Sequence, residues 1–221
     1  ILVVDANPDS NLPDVLGIQA EKTVGSVANR MKMDVEKGLI PQSMTKKDLL
    51  EYGVFGTIKE TPKFDLLVMG RTEGEGCYCM VNNLLTTILD TISKNYDLTL
   101  MDMEAGLEHL SRRTDRDVDI MLIPVDSSRM SFETAKRIKQ LAKDVHIELK
   151  KIYLVGNNVE KGLEELVAKK AEETGLELVG IIPSNEEIHE YDLKGEPLLS
   201  LKKDNEALVA LEKILKKIDL L

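Results

Sequence analysis

Short apolar runs recur along the chain, each followed by a polar stretch rich in turn formers. The first, Ile1-Leu2-Val3-Val4, ends in Asp5 and gives way to Asn7-Pro8-Asp9-Ser10-Asn11, the pattern of a buried parallel strand leaving a sheet. Phe64 to Gly70 and Leu98 to Met103 predict two more strands, and Ile120 to Val125, Lys151 to Val155 and Leu178 to Ile182 predict a further three. Between them the period changes. Leu84, Leu85, Ile88, Leu89 and Ile92 fall on one face of a helix over Val81 to Ser93, and helices are also expected over Ser131 to Lys143 and Gly162 to Thr174. From about Leu16 to Gly56 a helical pattern (Val24, Val27, Ala28, Met31) is broken by Gly38, Pro41 and Gly53, so this region reads as helices with connecting loops. The last segment, Asn205 to Leu221, sets Leu208, Leu211, Ile214, Leu215 and Ile218 on one side. Strands alternating with helices at this rhythm imply βαβ units. The expected fold is α/β: three layers, a mostly parallel sheet with helices on both faces.

Composition narrows this without changing it. With 43% hydrophobic and 31% charged residues spread over 221 positions, the chain has the balance of a folded protein, and its length suits one domain, 1–221. A net charge of −10 repels phosphate backbones and anionic membranes, and without a local basic patch neither nucleic acid nor membrane is an expected partner. No apolar run approaches the roughly 20 residues that span a bilayer, and no signal peptide is visible, so a cytoplasmic location is expected. Two cysteines are too few for a disulfide scaffold. The chain begins inside a strand, at Ile1, which suggests a missing N-terminus.

Candidate chemistry gathers at the carboxyl ends of the strands, where open α/β sheets bind ligands. Three loops have high polar density: Asp5 to Asn11, Asp102 to Arg113, and Asn157 onward. Asp102 ends an apolar strand and precedes Ala105-Gly106, placing a carboxylate close to a flexible backbone N–H, which suits a magnesium-bound phosphate. An aspartate in this position also caps following helices, and the pattern alone leaves both readings open. Cys77 and Cys79, flanked by Gly74 and Gly76, can turn both thiolates toward one Zn²⁺ or Ni²⁺ ion, or can be two ordinary reduced cysteines. A disulfide between them would close a strained ring. His109, His146 and His189 lack paired metal-ligand spacing, and Arg112 and Arg113 sit near Asp115 and Asp117 as a solvated face would.

Four segments, in order, resemble the CooC-type carbon monoxide dehydrogenase maturation factors: Val4-Asp5-Ala6-Asn7-Pro8-Asp9-Ser10-Asn11-Leu12, Gly76-Cys77-Tyr78-Cys79, Met101-Asp102-Met103-Glu104-Ala105-Gly106-Leu107-Glu108-His109-Leu110, and Gly180-Ile181-Ile182-Pro183. Those factors are similar to the nitrogenase iron protein and the septum-site ATPases, dimers that bind ATP at a deviant Walker A loop. The resemblance implies a P-loop NTPase-like fold, ATP or ADP with Mg²⁺ as ligand, and a homodimer. Asp5 to Asn11 then looks like switch I, with Asp5 and Asn7 catalytic and Asp9 beside the nucleotide, and Asp102 to Gly106 looks like switch II, with Asp102 as the Walker B-like carboxylate. Asn157 looks like the adenine-reading asparagine, and Pro183 lies in the segment lining the base.

The sequence departs from that family twice. The glycine-rich lysine loop does not occur within these residues and is expected, with the family's first strand, ahead of Ile1. Asn7 stands where many relatives carry an aspartate, and an amide positions water but is a poor base. Under the resemblance, Cys77 and Cys79 of two subunits form a four-thiolate Ni²⁺ or Zn²⁺ site on the dimer axis. The implied function is ATP-dependent nickel insertion, with carbon monoxide dehydrogenase or acetyl-CoA synthase as client. A non-hydrolytic metal-binding dimer and a partition or septum-type positioning ATPase are the alternatives. The acidic residues Glu206, Glu212 and Asp219 favour a last helix packed on the sheet over a membrane anchor.

Overall fold

The computed structural model describes residues 1–39, 52–71, 89, 91–103, 118–144 and 149–221. The chain falls into two compact units, Ile1–Ala105 and Gly106–Leu221. Each is built from parallel strands and the helices that cover them, so the fold is α/β.

In the first unit, β1 (Leu2–Asp5) lies between β3 (Asp65–Val68) and β4 (Thr99–Asp102), parallel to both. A two-residue strand, β2 (Lys59–Glu60), adds antiparallel to the outer side of β3. It has no apolar signature, since both its residues are exposed, and the sequence pattern does not reveal it. Leu2, Val4, Leu67 and Met69 are fully buried together with Val24 and Ala28 of helix α2 (Val24–Glu36), as a near-continuous apolar strand requires. Helix α2 starts at a capping box in which Thr23 and Ser26 exchange side chain to backbone hydrogen bonds. The helix is seated on the end of β3 without clearance. Gly25 donates its N–H to Met69 O at 2.8 Å, a Cβ on Gly25 would lie 2.5 Å from Arg71 O, and Gly70, at φ +68°, packs against Thr23. The expected helix over Val81 to Ser93 falls mostly outside the described residues.

The second unit is a three-stranded parallel sheet in the order β5 (Ile120–Val125), β6 (Lys151–Val159), β7 (Glu177–Pro183). Alternate residues feed opposite faces. Ile123, Val125 and Leu154 pack with helices α3 (Arg129–Asp144) and α4 (Glu164–Glu172), while Val155 and Val179 pack with Ile214 and Ile218 around helix α6 (Glu206–Lys217). The sheet thus carries helices on both faces. The final amphipathic segment packs on the sheet as its pattern suggests. Gly180 makes this possible, because a Cβ there would sit 2.4 Å from Ile214 Cγ1.

Two expectations need correction here. Strand β6 does not stop at Val155 but continues to Val159, so Asn157 lies in the last residues of a strand rather than in a loop. Its pairing with β7 is irregular between Gly156 and Val159, and Asn158 has φ +53°, which is why the polar Gly-Asn-Asn run reads locally as a turn. Helix α5 (Glu186–Lys194) also lies in a stretch for which no element was expected. Among the described residues, no helix is long and apolar enough to cross a membrane.

Candidate functional site

Asp5 and Asp102 end neighbouring parallel strands and stand in register with each other. The main chain holds the pairing past that point, since Ala6 donates its N–H to Asp102 O at 2.9 Å and Met69 donates to Asp5 O at 2.8 Å. Asp5 is fully buried. Its Oδ1 accepts the Asn7 N–H at 3.0 Å and its Oδ2 accepts the Leu12 N–H at 3.1 Å, so the carboxyl folds the switch-like loop back over the strand end. Burial pushes the Asp5 carboxyl above the usual aspartate range, the two backbone donors act in the opposite direction, and the nearby Asp102 charge adds to the rise. Asp102 is more open to solvent, and partial desolvation pushes its carboxyl up as well. Two carboxylates that are costly to ionise, side by side at a strand end, make a site that favours a cation.

The loop between them and helix α1 (Leu12–Leu16) is a set of nested turns. Asn7 Oδ1 accepts the Asp9 N–H at 2.9 Å, and the Ser10 N–H reaches Asn7 O at 3.0 Å with Ser10 at φ +55°. Arg71, three residues beyond β3, donates to the Asp9 carboxylate, a link between the switch-like loop and the segment leading to the cysteines that sequence spacing does not disclose.

In the second unit, Asn157 is exposed near the carboxyl end of β6, and Pro183, half-buried, pairs with Val159 at the end of β7. The Ser184 N–H donates to Val159 O at 2.8 Å, closing that edge. Asn157 and Pro183 therefore share one sheet edge. Gly106, Cys77 and Cys79 lie outside the described residues. His189 is exposed on α5, and among the described residues no three His, Cys, Asp or Glu side chains form a metal cluster.

The nucleotide-binding domain model of the CobQ/CobB/MinD/ParA type, CbiA, matches residues 1–198, a span that runs through both units. The chain belongs to this family. Proteins similar to it include an uncharacterized ATP-binding protein of Methanocaldococcus jannaschii, 51% identical over 99% of this chain and 86% of that protein. The carbon monoxide dehydrogenase accessory protein CooC of Rhodospirillum rubrum is 28% identical over 88% of this chain and 76% of its own. The septum site-determining protein MinD of Pyrococcus horikoshii, solved with Mg-ADP, superposes with a TM-score of 0.65 at 18% identity over 99% of this chain and 82% of that one. That superposition supports the MinD/ParA-type P-loop NTPase fold, with Asp5 and Asp102 at the carboxyl edge of its parallel strands.

Proposed function

We propose that this CbiA-family chain is an ATP-hydrolysing maturation factor that assists nickel insertion into carbon monoxide dehydrogenase or acetyl-CoA synthase. The observation that carries the nucleotide part is the in-register pair Asp5 and Asp102 beneath the Asn7 to Asn11 loop. The donor set fits Mg²⁺, a hard cation that takes carboxylate and water oxygens. Bound there, the ion would offset negative charge on the terminal phosphates of ATP. Asp5 and Asp102 would hold it, Asp5 through the lone pairs that its two backbone donors leave free. Asn7 would orient the attacking water by hydrogen bonding without accepting its proton, which favours slow turnover suited to a switch. In the second unit, Asn157 and Pro183 are assigned to the base.

The client and the metal rest on the relative CooC and on the Cys77-Tyr78-Cys79 sequence. Nickel or zinc would be held between two copies of the chain by four thiolates, so that dimer geometry, reset by the nucleotide, governs metal affinity. The MinD likeness supports a second reading, a positioning ATPase that would bind liposomes or DNA and be indifferent to the cysteines. Protein expressed from its complete reading frame decides between them. The maturation reading expects ATP turnover that is lost in Asp102→Ala, and about one Ni²⁺ or Zn²⁺ per dimer that is lost in Cys77→Ala and Cys79→Ala. Metal content unchanged in both cysteine variants sinks the shared site, and absent ATP turnover leaves only a metal-binding dimer.

A further inference from the structure

Asn205 is 6% exposed, and its side chain makes one bond to its own helix and two away from it. Its Oδ1 accepts the Ala207 N–H at 3.0 Å and so caps helix α6. A cap needs only that oxygen, and aspartate or serine supplies one equally well. The Nδ2 group does something a cap does not require. It donates to Asn185 Oδ1 at 3.0 Å and to Glu187 Oε2 at 2.8 Å, at the start of helix α5. Asn185 Oδ1 is committed to the same helix, since it also accepts the Ile188 N–H at 3.1 Å. Two residues before Asn185, Pro183 pairs with Val159, and Ser184 between them donates its N–H to Val159 O. The segment 183–185 is therefore fixed from two directions, by the end of β6 and by Asn205.

We propose that Asn205 is a positioning residue for nucleotide base selection: by holding Asn185 and Glu187 it sets the backbone of 183–185, which with Asn157 is presented to the edge of a purine. This rests on the nucleotide reading above. A base is told from its analogue by fixed donors and acceptors, and loosening their support erodes the discrimination. Asn205 touches no nucleotide itself.

The test uses protein from the complete reading frame, with Mg²⁺, titrated calorimetrically with ATP, GTP and inorganic triphosphate. Asn205→Asp keeps the capping oxygen and the volume but removes both donors and places a second carboxylate beside Glu187. ATP affinity is expected to fall about tenfold, the preference for ATP over GTP to shrink, and triphosphate affinity to stay within about twofold. Adding Glu187→Gln returns a donor from the opposite side and should restore most of the ATP preference. Should Asn205→Asp not fold, Asn205→Ser, which also caps, makes the same comparison. An unchanged ATP-to-GTP ratio in a folded variant overturns the proposal, as does an equal loss for all three ligands, which would mark a structural role. Wild-type protein that binds ATP no better than triphosphate overturns the base reading at Asn157 and Pro183 first, and this inference with it.

Discussion

The Asp5 carboxyl has no solvent and two backbone N–H donors, and its folded-state proton affinity is nevertheless raised because burial outweighs both. The sign for stability follows. A carboxyl that binds its proton more tightly folded than unfolded is least costly in acid, below the ordinary aspartate pKa of about 3.9, and its cost grows as pH rises through the elevated folded value. Denaturant unfolding at a series of pH values should therefore show wild type losing stability relative to Asp5→Asn across that window, and the loss should shrink when Mg²⁺ is present. A flat difference between the two proteins would mean that Asp5 ionises normally. Asn7 permits a sharper substitution. Its Oδ1 accepts the Asp9 N–H, a role a carboxylate fills without disturbing the turn. Asn7→Asp should leave the fold intact and raise kcat for ATP by about tenfold or more, with KM little changed, because it adds a base where the amide can only orient water.

Helix α6 meets β7 at Gly180, where the Ile214 side chain occupies the space a methyl group would need. Gly180→Ala should lower stability by about 1–3 kcal/mol through displacement of the helix, read as a lower urea midpoint at unchanged m. Element by element, what the sequence revealed depended on whether the signal was local. The β5 limits, Ile120–Val125, match the apolar run residue for residue, and the last helix keeps its expected amphipathic face. The end of β6 is hidden in the sequence because Gly156, Asn157 and Asn158 are turn formers and Asn158 does take a positive φ, while pairing with β7 resumes at Val159 and Pro183 and carries the strand past the irregularity. Helix α5 was legible in principle, since Asn185 caps it and Glu186 and Glu187 occupy its first turn, but no apolar stripe advertises it and none of its residues is buried. The site divides the same way. Asp5, Asp102 and Pro183 end strands, Asn7 lies in the loop after β1 and Asn157 within the last residues of β6, whereas the bond from Arg71 to Asp9 and the bonds from Asn205 to Asn185 and Glu187 join residues far apart in sequence and leave no trace in local pattern.

At the scale of the whole molecule, the proposed dimer links metal to assembly. If four thiolates close the site between two copies, chelation should shift nucleotide-free protein toward monomer in light scattering, and Cys77→Ala with Cys79→Ala should remove the effect of the chelator. A mass unaffected by chelator in wild type would place the metal within single chains. The order of the strands matters for how the chain is made. Strand β1 lies between β3 and β4, so its first partner begins at Asp65 and its second at Thr99. During synthesis at about 5–20 residues per second, Leu2, Val3 and Val4 emerge seconds before either neighbour exists. Until Asp102 has left the ribosome, the apolar strand that ends in the proposed magnesium carboxylate has no complete sheet to enter. Chaperone occupancy on translating ribosomes should accordingly peak before that point and fall once β4 is out.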